Sequence, residues 1–255
     1  MTQAQRAEAF EALHEGEPFV IPNPWDVGSA KVLAGLGFEA LATTSSGFAF
    51  TLGRLDGAAS LDDVCAHVAA LSADVDLPVS ADLENGYADP AETIRRVAEA
   101  GAVGGSIEDW SGERLYEPAE AVERLTAAVD AARALDFPFM LVGRAENHIR
   151  DNPDLDDTIA RLQAYEAAGA DVLYAPGLST VDEIRAVCDA VTKPVNVLAR
   201  RDLTFAEITG AGAQRVSVGG ALTWTAVAAF AEAAQAMRDG DFSRLGASPP
   251  LSDWL

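Results

Sequence analysis

The chain has 255 residues, with 40 acidic and 18 basic side chains and a formal net charge of −22 at pH 7. That length suits one large domain or two small ones, and 49% hydrophobic with 23% charged residues excludes a disordered chain. So acidic a surface has little with which to neutralise a nucleic-acid backbone, which excludes nucleic acid as a partner.

The uncharged stretch 216–231 is broken by Gly219-Gly220 and falls short of the roughly 20 residues a bilayer span needs, so no membrane segment is expected. The first residues carry no apolar signal-peptide core. Two cysteines, Cys65 and Cys188, each lie in a helical pattern rather than a disulfide framework. A cytoplasmic protein with reduced thiols is the expectation.

In chain order, short apolar runs occur at 19–21, 40–44, 79–82, 103–107, 139–142, 172–174, 195–198 and 216–218. Near-continuous apolar character marks strands covered on both faces. Alanine-rich stretches of helical period separate most of them. Helix starts are signalled by Ser60 with Asp63, Asp89-Pro90 with Glu92, Glu117-Pro118, Ser179 with Asp182, and Thr204 with Glu207.

The runs alternate in how they begin. Odd ones follow Pro18, Pro78, Pro138 and Pro194, at intervals of about 60 residues; even ones follow a helix end with Gly37, Gly101, Gly169 or Gly212. The chain thus reads as four copies of a (βα)₂ unit. Eight strand–helix units in a single domain, 1–255, predict an α/β fold, the (β/α)₈ TIM barrel. An open dinucleotide-binding sheet would need its glycines after a strand and opening a helix. Here Gly35-Leu36-Gly37 and Gly210-Ala211-Gly212 close helices instead.

In such a barrel, chemistry is done at the C-terminal ends of the strands. Four carboxylates fall there on adjacent strands: Asp82, Glu84, Glu108 and Asp109. Packed together they would raise one another's pKa unless a hard cation balanced them, and oxygen-only ligands favour Mg²⁺ over zinc. The plainer alternative is helix caps and surface acids, which this chain has in plenty. Arg144, at the end of the fifth run, suits bidentate capture of a carboxylate or phosphonate; its alternative is an ion pair with Glu146 or Glu108. The Ser45-Ser46-Gly47 turn offers backbone N–H groups to a second anionic oxygen. Only Lys31 and Lys193 are lysines, and neither is placed for a Schiff base.

These residues resemble the isocitrate lyase/phosphoenolpyruvate mutase superfamily from about 22 to 220. The likeness is carried by the Ser-Gly turn after the second run, Leu-Pro-Val-Ser-Ala-Asp-Leu-Glu-Asn-Gly-Tyr at 77–87, Ser-Ile-Glu-Asp at 106–109 and Gly-Arg-Ala-Glu at 143–146. The resemblance implies a Mg²⁺ shell of Asp82, Glu84 and Glu108, partly through water, with Asp56 as the loop aspartate near the metal. It also implies a substrate pocket of Trp25, Ser45, Ser46, Gly47, Asp82, Arg144 and Asn196, of which Arg144 partners the substrate carboxylate. A terminal helix swapped between subunits of a homodimer or homotetramer is implied as well; the C-terminal pattern with Trp224, Val227, Phe230 and Ala234 on one stripe is the candidate.

The loop after the fourth run departs from the superfamily's lyases, which carry Lys-Lys/Arg-Cys-Gly-His there. This chain has Trp-Ser-Gly-Glu-Arg-Leu-Tyr-Glu-Pro at 110–118, with no cysteine and no lysine. Isocitrate and methylisocitrate cleavage are therefore not expected. The reading is a Mg²⁺-dependent carbon–carbon lyase or decarboxylase acting through an enolate on a small 2-oxo acid, oxaloacetate-like, with Asp56, Arg144 and Glu108 as the catalytic set. Any base required would be Asp56, Tyr87 or His148. Alternatives are P–C bond chemistry on phosphonopyruvate, a non-catalytic 2-oxo acid binder, and a phosphate-binding barrel using Gly219-Gly220 with Arg200-Arg201.

Overall fold

The computed structural model describes residues 1–246 and 249–254. Among them, β1 (Phe19–Ile21), β2 (Leu41–Ala42), β3 (Val79–Asp82), β4 (Gly104–Glu108), β5 (Met140–Arg144), β6 (Val172–Tyr174), β7 (Val195–Leu198) and β8 (Arg215–Ser217) form one parallel sheet. Its order is β1-β8-β7-β6-β5-β4-β3-β2, each strand beside its neighbour in the chain. Between β1 and β2 the Ala42 N–H donates to the Pro22 carbonyl at 3.1 Å, and Asn23 Nδ2 donates to the Thr43 carbonyl at 3.1 Å. The sheet therefore curls into a nearly closed (β/α)₈ barrel, the expected fold.

Its helices are α1 (Gln3–Glu15), α2 (Val27–Gly35), α3 (Ser45–Thr51), α4 (Leu61–Asp74), α5 (Pro90–Glu99), α6 (Pro118–Arg133), α7 (Leu155–Ala167), α8 (Val181–Ala190), α9 (Phe205–Gly210) and α10 (Ala221–Arg238). Ser60 with Asp63 and Thr204 with Glu207 form reciprocal capping boxes, and Asp89 caps the Pro90 helix. One start is displaced by a residue: Thr180, not Ser179, caps α8 with Glu183, while Ser179 holds the same carboxylate from outside. Gly37, Gly101, Gly169 and Gly212 stop their helices at φ of 88°, 108°, 101° and 111°, a region that favours glycine. The second run, expected over 40–44, is shorter as a strand because the Thr44 side chain turns away to cap α3.

Two apolar layers hold the barrel. Outside it, Leu83, Ile94, Leu125, Leu141 and Leu162 are buried between strands and helices. Inside it, Ile21, Val142 and Val172 pack with Ala7 and Phe10 of α1. Each of the leucines, isoleucines, valines and the phenylalanine among them contributes about 1.5–3 kcal/mol by leaving water. A Cβ on Gly104 would lie 2.8 Å from Phe10 Cε1, so α1 seats against a glycine. This end of the barrel interior is mainly apolar, with one buried polar pair of His14 and Arg215, and the candidate site occupies the C-terminal ends of the strands. Among the described residues no helix is long and apolar enough to cross a membrane.

Candidate active site

Asp82, Glu108 and Arg144 each end a strand, and the ladders pair Asp82 with Ser106 and Glu108 with Arg144. Asp82 accepts from the Ser45 amide at 3.1 Å and from Ser106 Oγ at 3.5 Å. Arg144 lies over the Tyr174 ring, 5.1 Å from its centre. Its Nε donates to Glu146 Oε1 at 2.5 Å, while Nη1 is 3.5 Å from Glu108 Oε2 and 3.8 Å from Asp82 Oδ1. The ion pairs weighed against substrate capture are thus present, tight to Glu146 on Nε and looser to Glu108 on Nη1. Among the described residues neither Nη makes a hydrogen bond.

Glu84 stands in the loop after β3 at a left-handed φ of 51°, a conformation that costs a non-glycine residue about 1–2 kcal/mol. Its carbonyl accepts from the Glu108 N–H at 2.9 Å, which fixes the loop against β4. Burial, then the charges of Asp82 and Asp56, push the Glu84 carboxyl up to about 8. Burial also pushes Glu108 well above the usual carboxylate range, with Arg144 opposing and Glu146 adding to the rise. The carboxylate trio is therefore short of positive charge.

Asp109 does not join the trio. As the residue after Glu108 it faces away from the barrel interior, where it accepts from the Glu146 amide, Arg161 Nη1 and Tyr165 Oη at 2.7, 2.9 and 2.6 Å. It is a structural anchor, and side-chain alternation along a strand was the signal that separates it from Glu108. Glu146 takes the inner place instead. It is fully buried, two residues beyond Arg144, and was read from sequence only as that arginine's possible partner.

Ser45, Ser46 and Gly47 form the first turn of α3. The Ser45 amide is spent on Asp82; the Gly47 amide makes a long 3.4 Å bond to Thr44 Oγ1. A Cβ on Gly47 would lie 2.5 Å from Thr223 Oγ1 and 3.1 Å from Trp25 Cβ, so only glycine fits where α3, α10 and the Trp25 loop meet. Asn196 is buried lower in the barrel, its Oδ1 accepting from Arg215 Nε and its Nδ2 donating to Ser217 Oγ.

Above Arg144 a cleft opens between Asp56, Glu84, Glu108, Trp110 and Arg150; below it a smaller hollow reaches Asn196 and Arg215. Among the described residues no cysteine, histidine or lysine lines either space. Cys65 and Cys188 lie in α4 and α8, where burial pushes both thiols up. His148 bonds Thr158 outside the cleft, and burial raises the Tyr87 phenol. Of the possible bases, Asp56 is the exposed carboxyl at the cleft.

The phosphate-loop alternative has two of its donors, the Gly219 amide and Arg200, engaged within the chain. Both the Val218 and Gly219 amides donate to Asn23 Oδ1 at 2.9 Å, and Arg200 is turned onto Asp202 at 3.0 Å.

Among the described residues no three His, Cys, Asp or Glu side chains are gathered tightly enough to clasp an ion by themselves. Magnesium commonly keeps several waters and takes only one or two carboxylates directly. Asp82, Glu84 and Glu108 fit that kind of site, since two of the three carboxyls are raised in the absence of a cation.

Comparison with known proteins gives the family. The family model described as phosphoenolpyruvate phosphomutase matches residues 10–238. An uncharacterised protein of Mycobacterium tuberculosis is 34% identical over 89% of this chain and 88% of its own length. An oxaloacetate decarboxylase of Bradyrhizobium sp. (strain BTAi1) is 30% identical over 94% of this chain and 88% of its own. A crystal structure from Burkholderia cenocepacia J2315, described as a candidate lyase/mutase, superposes with a TM-score of 0.94. It is 54% identical and covers 98% of this chain and 95% of that one. The chain belongs to the phosphoenolpyruvate phosphomutase family, within the isocitrate lyase/PEP mutase superfamily.

Proposed function

We propose that the protein is a Mg²⁺-dependent lyase that breaks a carbon–carbon bond of a small 2-oxo acid, and that it acts as a decarboxylase on an oxaloacetate-like substrate. One observation carries this reading. Asp82 and Arg144, lining the hollow, adjoin Glu84 and Glu108, lining the cleft, yet among the described residues no thiol, imidazole or amine lines either space. Departure of CO₂ needs no proton donor in the cleavage step, so such a site suffices for it. The similarity to an oxaloacetate decarboxylase supports the same choice.

Arg144 would hold the carboxylate next to the keto group through its Nη edge, which makes no hydrogen bond among the described residues, with Glu146 fixing the guanidinium from behind. The Ser46 and Gly47 amides would meet a second oxygen, while Ser45 keeps Asp82 in place. A cation held by Asp82, Glu84 and Glu108 would supply Lewis-acid stabilisation of charge developing on the keto oxygen. Asp56, exposed at the cleft, is the carboxyl we assign as the base where one is needed. We place the protein in the cytoplasm as a homodimer or homotetramer, a reading that the uncovered α10 supports.

The test is turnover of a panel of 2-oxo acids with and without Mg²⁺. Oxaloacetate should disappear faster than with the metal alone, and Asp82→Ala and Arg144→Ala should abolish the difference. Consumption of phosphonopyruvate alone would move the reaction to P–C cleavage. Binding without consumption of any member would make the protein a 2-oxo acid binder.

A further inference from the structure

Glu146 is fully buried and divides its carboxylate between two arginines. Oε1 takes Arg144 Nε at 2.5 Å; Oε2 takes Arg150 Nε and Nη2, each at 2.9 Å. A buried carboxylate shared in this way fixes both guanidiniums, and the three groups together keep one net positive charge. The second arginine also rests on the Trp110 ring, 4.5 Å from its centre. Trp110 is itself fixed, because the loop after β4 folds back on itself through a bridge between Trp110 and Leu115.

Arg150 does more than neutralise Glu146, which Arg144 already meets at the shorter distance. Among the described residues it is the one cationic residue lining a cleft otherwise charged by Asp56, Glu84 and Glu108. Its Nη1 has no hydrogen-bond partner among the described residues. A substrate with a single carboxylate would be served by Arg144 alone. We infer that Arg144, Glu146 and Arg150 form a two-pronged clamp that selects dicarboxylic acids, Arg144 taking the carboxylate beside the keto group and Arg150 the distal one.

This inference rests on the 2-oxo acid reading above. A distal carboxylate that leaves as CO₂ loses its charge, so the Arg150 contact is made in the bound ground state and fades toward the transition state. It contributes to affinity and not to rate. Arg150→Met should raise KM for oxaloacetate while leaving kcat equal or higher.

Malate and lactate, two 2-hydroxy acids that differ by the distal carboxylate, provide a readout independent of turnover. Calorimetric titration in the presence of Mg²⁺ should show the unaltered protein preferring malate by about tenfold or more, the scale of one charge-assisted contact. In Arg150→Met malate should fall to the level of lactate, with lactate unchanged. Arg150→Lys should keep part of the preference, since it retains the charge and loses the planar fork. A preference that survives in Arg150→Met, or equal binding of the two acids by the unaltered protein, overturns the clamp. Failure of both acids to bind the unaltered protein overturns the 2-oxo acid reading and the clamp with it.

Discussion

Arg215 Nη1 lies 3.1 Å from His14 Nε2, joining the first helix to the last strand inside the barrel. His14 Nδ1 is 2.8 Å from the Phe10 carbonyl, an acceptor, so Nδ1 carries the proton and Nε2 accepts from the arginine. Arg215 has no carboxylate within ion-pair distance among the described residues; its other anchor is Asn196, which reaches the hollow below Arg144. His14→Ala removes an acceptor from a buried guanidinium and should lower stability by roughly 2–4 kcal/mol, read by denaturant unfolding. An unchanged midpoint would mean that water replaces the imidazole at no cost.

The same contact sets a pH dependence. Burial and then Arg215 lower the His14 pKa from 6.5 to about 3, so the folded protein keeps this ring neutral while the unfolded chain takes up a proton. Stability should therefore fall as pH drops from about 6.5 towards 3. His67, lowered to about 4 chiefly by burial, acts in the same direction. His14→Gln should make the slope shallower over that window, and an unchanged slope would remove His14 from the account.

Glu84 behaves in the opposite sense. Its carboxyl, raised from 4.5 to about 8, binds a proton in the cation-free fold that the unfolded chain releases, so its contribution weakens stability as pH rises from 4.5 towards 8. A cation at Asp82, Glu84 and Glu108 must displace such protons. Mg²⁺ binding at pH 7 should release protons, seen as heats that differ between buffers of unlike ionisation enthalpy, and should tighten as pH approaches 8. Glu84→Gln should bind Mg²⁺ more weakly and with a smaller proton release. Equal heats in all buffers would show that these carboxyls are already ionised.

Much of this was legible in the sequence because it is carried by local rules. Proline before odd strands, left-handed glycine after the helices and the capping boxes each act within a few residues. The barrel follows from their repetition, and Asp82, Glu108 and Arg144 follow from being last on their strands. What was missed depends on where side chains turn. Asp109 looked equivalent to Glu108 until alternation sent it to Arg161 and Tyr165. Arg150 and Trp110 lie 40 residues apart in sequence and meet only because the ends of β4 and β5 are neighbours. The His14–Arg215 contact spans 201 positions and leaves no local trace.

Arg144 separates charge from shape. Its Nε is fixed by Glu146 and its Nη edge faces Glu108 and Asp82, so a lysine here would keep the charge but could not bond Glu146 and a substrate carboxylate with two rigid edges. Arg144→Lys should lower kcat/KM by about 10²-fold or more, with Mg²⁺ affinity changed far less. Comparable activity in the lysine variant would reduce Arg144 to a counter-charge for the buried acids.

The last helix predicts an assembly. Of the 18 residues of α10 only Thr223 is buried, while Trp224, Phe230 and Met237 are 45%, 73% and 44% exposed. Trp224 already meets Phe50 of α3 edge to face, so the apolar face continues onto the helix that begins with Ser45 to Gly47. A face of this kind is usually covered by a partner, and a second copy presenting the same helix is the cover that the family resemblance implies. Light scattering should give the mass of a dimer or tetramer at micromolar concentration. Phe230→Glu should shift it towards the monomer and leave the far-ultraviolet circular dichroism intact, because Phe230 contributes little to its own barrel. Since α10 also bears on Gly47 through Thr223, the dissociated variant should bind 2-oxo acids more weakly. A monomeric unaltered protein would leave α10 without a second copy to cover it.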